Sequence, residues 1–402
     1  MAATRLKGEG PGRGIVPSLI ERDRELAAIA GALENVLEGS GSVLTIEGQA
    51  GIGKTRLLGE ARSLAESLGI RCLCARGAEL ERHFAFGVIR QLLEPELGGD
   101  EGAGRALTGA AGAAAPVLGV PSAFGIPPQD LSSALLHGLY WACVHLADEQ
   151  PTVILVDDLQ WVDELSARAI GYIARRADEH PLGLILALRD DGPGPPPTHL
   201  PRPATETRLR PAALSERGSG QLLGDLLGSS TRDFSSAAHR ATGGNPFLLR
   251  EIALATATGD IPQDRAGAEQ IAGLAPASVA DWTLARLARL PQAARTVAFS
   301  LAVLESAELQ IVAAHGGLDP SSAATAVDEL AGIDLVKGEL PLRLAHPIVR
   351  RALYEQLAPA AREQAHDRAA EVLHERGAPP EQVASHLLET EPRGRDWATA
   401  EL

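Results

Sequence analysis

Gly48-Gln49-Ala50-Gly51-Ile52-Gly53-Lys54-Thr55 is a complete G-x-x-x-x-G-K-[ST] pattern. The apolar run Val43-Leu44-Thr45-Ile46 comes directly before it. Leu57, Leu58, Ala61, Leu64, Ala65 and Leu68 follow at the i, i+3, i+4 spacing of an amphipathic helix. Strand, glycine turn and helix in that order make the string a physical site. The glycines let backbone N–H groups approach phosphate oxygens, and the helix adds the positive end of its dipole. Lys54 is then expected to neutralise the β- and γ-phosphates of a nucleotide, and the Thr55 hydroxyl to ligate Mg²⁺. A glycine-rich turn that binds nothing is the plain alternative. It leaves unexplained why one of only three lysines in the chain (Lys7, Lys54 and Lys337) stands in this loop.

A second cluster supports the first. Thr152-Val153-Ile154-Leu155-Val156 is a continuous apolar run that ends in Asp157-Asp158 and reads as a strand buried on both faces. Carboxylates at the C-terminal end of such a strand lie where open α/β sheets bind ligands. Asp157 is expected to hold Mg²⁺ through water and Asp158 to polarise an attacking water. Alone, the pair would be a solvated turn; after a phosphate loop that becomes the lesser reading. The run Leu184-Ile185-Leu186-Ala187-Leu188 ends in Arg189, which can report on a γ-phosphate or simply close a strand at the surface.

A chain of 402 residues implies two to four domains. Its hydrophobic residues lean on alanine, and aromatics make up 3%, so packing must rely on small side chains. A formal net charge of −15 argues against nucleic-acid binding by general electrostatics. No apolar stretch is long enough to cross a membrane, and Met1 to Pro17 lacks the apolar centre of a signal peptide. Cys72, Cys74 and Cys143 have no metal-ligand spacing. Cys72 and Cys74 share one side of a predicted strand, where core burial is the better account. These features describe a cytoplasmic, reduced protein.

Strands are expected at Val43–Glu47, Arg71–Ala75, Thr152–Asp157, Leu184–Arg189 and Thr207–Arg210. That order suits the branch of α/β P-loop NTPases whose parallel five-stranded sheet has an inserted strand. Gly98 to Pro128, rich in Gly, Ala and Pro, reads as a mobile excursion, and Asp191 to Pro203 as a proline-rich surface loop. Ser215 can cap a helix, and the register stays helical with short breaks through Leu304. Leu309–Ala314, Ser321–Leu330 and two short runs around Lys337-Gly338-Glu339 suggest the helices and hairpin of a winged helix. Ala361 to Trp397 reads as a helix pair broken at Pro379-Pro380. One such tetratricopeptide-like unit cannot bury its apolar face alone, so ending at Leu402 suggests a truncation or a short relative of a longer protein. The expected division is a tail (1–18), a P-loop nucleotide-binding domain (19–210), a helical lid (211–275), a winged-helix domain (276–360) and a first helical repeat (361–402).

Several weaker motifs fall in a fixed order: Leu19-Ile20-Glu21-Arg22-Asp23-Arg24-Glu25-Leu26, the phosphate loop, Val156-Asp157-Asp158-Leu159-Gln160-Trp161-Val162-Asp163, Arg189, Gly243-Gly244-Asn245-Pro246-Phe247 and His346-Pro347. Together, over residues 19 to 390, they resemble the signal-transducing STAND ATPase module, above all that of large ATP-binding LuxR-type bacterial transcription regulators. The resemblance implies an ATP/ADP switch of nucleotide domain, lid and winged helix, followed by helical repeats and a DNA-binding helix-turn-helix. It implies that Pro246 packs against adenine and that His346 touches the ADP β-phosphate. Without it, Asn-Pro would be an ordinary helix break and His346 a helix-start residue. Likewise Trp161 and Asp163 would only close a strand and cap the next helix. Two departures stand out. Glu21 occupies a position where the family usually has Gly, on the adenine side, and the C-terminal DNA-binding domain is absent from this sequence.

The winged-helix segment is a poor DNA reader. No Lys or Arg occurs between Arg295 and Lys337, and Ser321–Leu330 carries Asp328 and Glu329. The expected function is an ATP-binding regulatory switch with slow hydrolysis, whose helical repeats take an inducer or regulatory protein and which by itself binds neither DNA nor membrane. Asp158 is shorter than the glutamate common in fast relatives, which suits inefficient water activation. The rivals are a ring-forming AAA-type motor or loader, which needs an arginine finger in trans, and a nucleotide-stabilised scaffold.

Overall fold

The computed structural model describes residues 19–97, 106–120, 133–190, 206–257, 259, 261–272, 287–288, 290–333, 335–337, 340–345, 347–391 and 397–398. Helix α1 (Asp23–Leu37) leads into β1 (Val43–Gly48), α2 (Lys54–Ser67) and β2 (Arg71–Arg76). Then come α3 (Gly87–Leu93), α4 (Ser133–Glu149), β3 (Thr152–Asp157), α5 (Glu164–Ala174), β4 (Leu182–Arg189) and β5 (Thr207–Leu209). The five strands form one parallel sheet in the order β2-β3-β4-β1-β5. β4 therefore lies between the glycine-loop strand and the acidic strand, as an inserted-strand P-loop sheet requires.

Strand side chains alternate between the two faces of the sheet. Leu44, Ile46, Val153, Leu155, Ile185 and Ala187 pack with α1 and α2, while Val43, Ile154, Val156, Leu184 and Leu186 pack with α3, α4 and α5. Both faces are covered, which is why β3 and β4 read as unbroken apolar runs.

Two segments differ from their sequence-based expectation. Part of the glycine- and alanine-rich excursion is packed: residues 109–114 form a 3₁₀ helix against α4, with Ala111 and Ala114 fully buried. Small side chains make that approach possible. A Cβ added to Gly138 of α4 would stand 2.9 Å from the Ala114 nitrogen. The remainder of that excursion (98–105 and 121–128) and the whole of the proline-rich loop (191–203) lie outside the described residues. The cysteine pair is not a core pair either, because β2 is the edge strand of the sheet. Cys72 is half-buried against the α1–α2 layer and Cys74 is exposed.

Beyond the sheet, α6 (Glu216–Leu227), α7 (Arg232–Thr242), α8 (Pro246–Ala257) and α9 (Arg265–Ala272) enclose a separate core around Leu223, Phe234, Leu249 and Ile252. A third core is built by α10 (Gln292–Leu304), β6 (Ser306–Ala307), α11 (Leu309–Gly316), α12 (Pro320–Gly332), the hairpin β7 (Val336–Lys337) and β8 (Leu342–Leu344), and α13 (Pro347–Gln356). α14 (Pro359–Glu375) and α15 (Pro380–Leu387) pack onto it. No described helix is long and apolar enough to cross a membrane.

Gly138→Val should overfill the contact with residues 110–114 and cost about 1–3 kcal/mol of stability. The thermal midpoint reads this directly. An unchanged midpoint would mean that the alanine-rich segment does not rest on α4.

Candidate functional site

The parallel sheet brings the C-terminal ends of β1, β3 and β4 to one edge. Between β1 and α2 the chain turns through Gly51 (φ +80°) and Gly53 (φ +108°), backbone conformations that other residues adopt only under strain. Lys54 opens α2 and is buried, its Nζ donating to the carbonyls of Gly48 (2.6 Å) and Gln49 (2.9 Å). Gly48, Gln49, Ala50, Gly51, Ile52 and Gly53 thus wrap the lysine at the N-terminus of α2.

The next residue makes the joint between loop and sheet. Thr55 Oγ1 donates to Asp157 Oδ2 at 2.8 Å, and the Asp158 backbone N–H donates to Asp157 Oδ1 at 2.9 Å. Burial pushes the Asp157 carboxyl up, and the Asp158 charge adds to that; Arg76 and the Thr55 hydroxyl oppose it. A hydroxyl and a carboxylate, both hard oxygen donors, therefore meet at the helix start, a donor set that fits Mg²⁺.

Asp158 is engaged elsewhere. It adopts a left-handed backbone (φ +51°), and its carboxylate turns toward β2, where Arg76 donates from Nε at 2.8 Å and also from Nη2. Gln160 Nε2 donates to the other oxygen at 2.9 Å, while Gln160 Oε1 accepts from the Arg189 backbone N–H at 3.0 Å. Gly77, next to Arg76, has no room for a side chain: a Cβ there would lie 2.5 Å from the Asp158 carbonyl oxygen. Arg189 pairs in register with Gly48, so it closes β4 beside the start of the loop. Asp163 caps α5 through the Ser166 N–H (2.9 Å) and accepts from the Phe86 N–H at 2.9 Å.

The α6–α9 unit closes on the loop. Asn245 Nδ2 donates to the Ala50 carbonyl (3.0 Å), and the Phe247 N–H, which also caps back to Asn245 Oδ1 (3.0 Å), reaches the Gly51 carbonyl at 3.3 Å. Pro246 is the first residue of α8 at this seam. A Cβ on Gly51 would meet Asn245 and Phe247, both at 2.8 Å. From the other side, buried Arg22 donates to the Ile52 carbonyl (3.2 Å) and the Ala212 carbonyl (2.8 Å). Glu21, in a left-handed conformation (φ +55°), accepts from the Ser215 N–H at 2.8 Å and from its hydroxyl. Ser215 in turn caps α6 through the Gly218 N–H. His346 lies outside the described residues.

Residues 18–186 match the family model described as AAA ATPase domain. An uncharacterized protein of Rhizobium meliloti (strain 1021) is 28% identical over 270 residues, 58% of this chain and 24% of that protein. The chain is also similar to the crystal structure of a signal transduction ATPase with numerous domains (STAND) protein with a tetratricopeptide repeat sensor from Pyrococcus horikoshii. There the TM-score is 0.59 at 14% identity, over 93% of this chain and 48% of that one, a likeness of fold. Residues 18–186 thus match an AAA-type P-loop module, and the chain as a whole is similar in fold to that multidomain ATPase. The matched region spans about a quarter of the curated relative's length and about half of the structural one's.

Sequence reasoning brought Lys54, Thr55, Asp157, Asp158 and Arg189 to this edge and missed Arg76, Gln160 and the roles of Arg22 and Glu21. The one available signal for Arg76 was its position at the end of the strand that precedes the acidic one.

Glu21→Ala and Glu21→Gly should both speed amide exchange at residues 215–218. The Ala variant should be less stable by about 1 kcal/mol, because only glycine relieves the left-handed backbone. Equal stabilities would show that position 21 is unstrained. The Ser215 bonds hold the Glu21 carboxyl below the usual glutamate range. Its contribution is therefore complete above about pH 4.3 and is lost as pH falls through the lowered value.

Proposed function

We propose that this chain is an ATP-binding regulatory switch that hydrolyses ATP slowly, related to or part of a LuxR-type transcription regulator. The observation that carries the reading is the division of labour between the two acids. Asp157 is poised with Thr55 at the helix start, whereas Asp158 is held by Arg76 and Gln160. A bound nucleotide would take its phosphates on the loop N–H groups of residues 49–54 and on Lys54, which would exchange its carbonyl partners for phosphate oxygens. Thr55 and Asp157 would hold Mg²⁺, which supplies charge neutralisation at the phosphates. Asp158 would orient the attacking water only after leaving Arg76, and that requirement favours slow turnover. Arg189, beside Gly48, would sense the γ-phosphate, and Pro246 would pack on the base.

A closed resting arrangement is supported by contacts between the P-loop module and the C-terminal helices. Arg350 of α13 pairs with Glu79, in the segment after β2, and with Glu305 at 2.8 Å, next to β6. Burial raises the Glu305 carboxyl, and the Arg350 charge and the backbone N–H groups of Leu80 and Glu79 oppose that rise without reversing it. Arg90 of α3 reaches Glu381 of α15 at 3.6 Å. The set α10–α12 with the β7–β8 hairpin reads as a winged helix turned to internal packing, supported by acidic Asp328 and Glu329 on α12. His346 would bind ADP from it, and the α14–α15 pair would begin a repeat array for an inducer or regulatory protein.

Lys54→Ala should weaken ATP binding about 10–100-fold, the loss of charge-assisted phosphate contacts, with the fold intact. Unchanged affinity by calorimetry would remove the loop from the site. Asp157→Ala should weaken Mg²⁺-dependent binding. Asp158→Ala should keep ATP and lose turnover by about 10²-fold or more, and Arg76→Ala should raise it. Turnover equal to wild type in the Asp158 variant contradicts its role.

Arg350→Ala leaves Glu305 buried without its cation and should weaken the closed arrangement by about 1–3 kcal/mol, discounted for partial exposure. Release of a fluorescent ADP analogue should quicken and the radius of gyration should grow. If neither changes, Arg350 is not a latch.

A further inference from the structure

Far from the phosphate loop, α10 and α14 leave a groove of about 440 Å³ between them. Its apolar wall includes Phe299 and Val303 from one face of α10, with Leu357 and Ala365 opposite. Two arginines, Arg295 and Arg368, line it, and no carboxylate does. Small-molecule sites have this composition: an apolar body with a few convergent polar groups, in a volume of a few hundred Å³.

Both arginines are short of partners. Arg295 Nη2 donates to Gln292 Oε1 at 2.6 Å, but its Nε–H is enclosed without an acceptor. Among the described residues Arg368 reaches only the Ala314 carbonyl, at 3.4 Å. Neither has a carboxylate partner among the described residues, although the chain carries 52 acidic residues against 37 basic ones. Two guanidinium groups with no ion pair among the described residues, beside an apolar wall, call for a planar anion, which an arginine binds with paired hydrogen bonds. His315, on the groove floor, adds no charge. Burial lowers its pKa, and its ring nitrogens are taken by Ser300 Oγ (2.9 Å) and the Ala365 carbonyl (3.1 Å).

The surroundings limit the anion to a single charge. Asp367, Glu371 and Glu375 line the adjoining depression along α14, on the other side of Arg368. A polyanion reaching past Arg368 would meet these acids. A ligand with one carboxylate at the arginines and a hydrocarbon body on Phe299 and Val303 avoids them.

We propose that the α10–α14 groove binds a small monocarboxylic acid with an apolar body. The site joins the hairpin-bearing unit to the C-terminal helix pair, and the proposal does not depend on the nucleotide reading.

The test is titration of the full chain with hexanoate, hexanamide and hexanedioate, followed by saturation-transfer NMR and calorimetry. Hexanoate should bind saturably at one site per chain. The neutral amide and the dianion should each bind about ten-fold more weakly or worse. Arg295→Gln and Arg368→Gln should each weaken hexanoate by a similar factor at an unchanged thermal midpoint. Arg368 is exposed, so its variant keeps the test valid even if Arg295→Gln disturbs folding. The proposal is overturned by the absence of saturable hexanoate binding, by equal binding of the amide or the dianion, or by binding that Arg368→Gln leaves unchanged.

Discussion

The register of the parallel sheet, with Val43 opposite Leu184 and Thr152 opposite Leu182, sets the C-terminal ends of β1, β4 and β3 side by side. Only in that register does the Thr55 hydroxyl come within 2.8 Å of Asp157, a residue 102 positions away in sequence. Packing against the helices on both faces enforces it, because a one-residue slip would turn every side chain of a strand onto the opposite helix layer. The phosphate loop, the acid pair and the closing of β4 by Arg189 all depend on this alignment.

Around that joint the loop and the acids are held by internal contacts of modest individual strength. Lys54 rests on its own loop carbonyls, Asp158 on Arg76, and the α6–α9 unit on Ala50 and Gly51 through Asn245 and Phe247. In the proposed reading a nucleotide would compete with the Gly48 and Gln49 carbonyls for Lys54, and an attacking water with Arg76 for Asp158. On the proposed function, that competition is what would couple binding to a change of domain contacts. Glu21 and Arg22 add a second tie from the N-terminal side to the loop and to the start of α6.

Much of this was legible in the chain itself, for physical reasons. Strands buried on both faces show as apolar runs, and β3 occurs at its expected limits, while β2 and β4 differ by one or two residues at an end. The glycine loop is readable because left-handed turns demand glycine and phosphate demands a lysine. What was hidden depends on tertiary partners. The Arg76–Asp158 pair joins the ends of two strands with no common motif, and the left-handed backbone at Glu21 breaks the usual preference for glycine there. The packed part of the alanine-rich excursion looked like a loop because small side chains carry no hydrophobic periodicity. Cys74 looked buried because alternation along a strand says nothing about whether that strand is an edge.

In the proposed reading the edge formed by Lys54, Thr55 and Asp157 is one magnesium-dependent nucleotide site. Calorimetric titration of the unmodified chain with ADP and with ATP, each with Mg²⁺ and with chelator, tests it most directly. Both nucleotides should bind at one site per chain, with affinity that falls when Mg²⁺ is withdrawn. The absence of saturable binding, or binding indifferent to Mg²⁺, would contradict it.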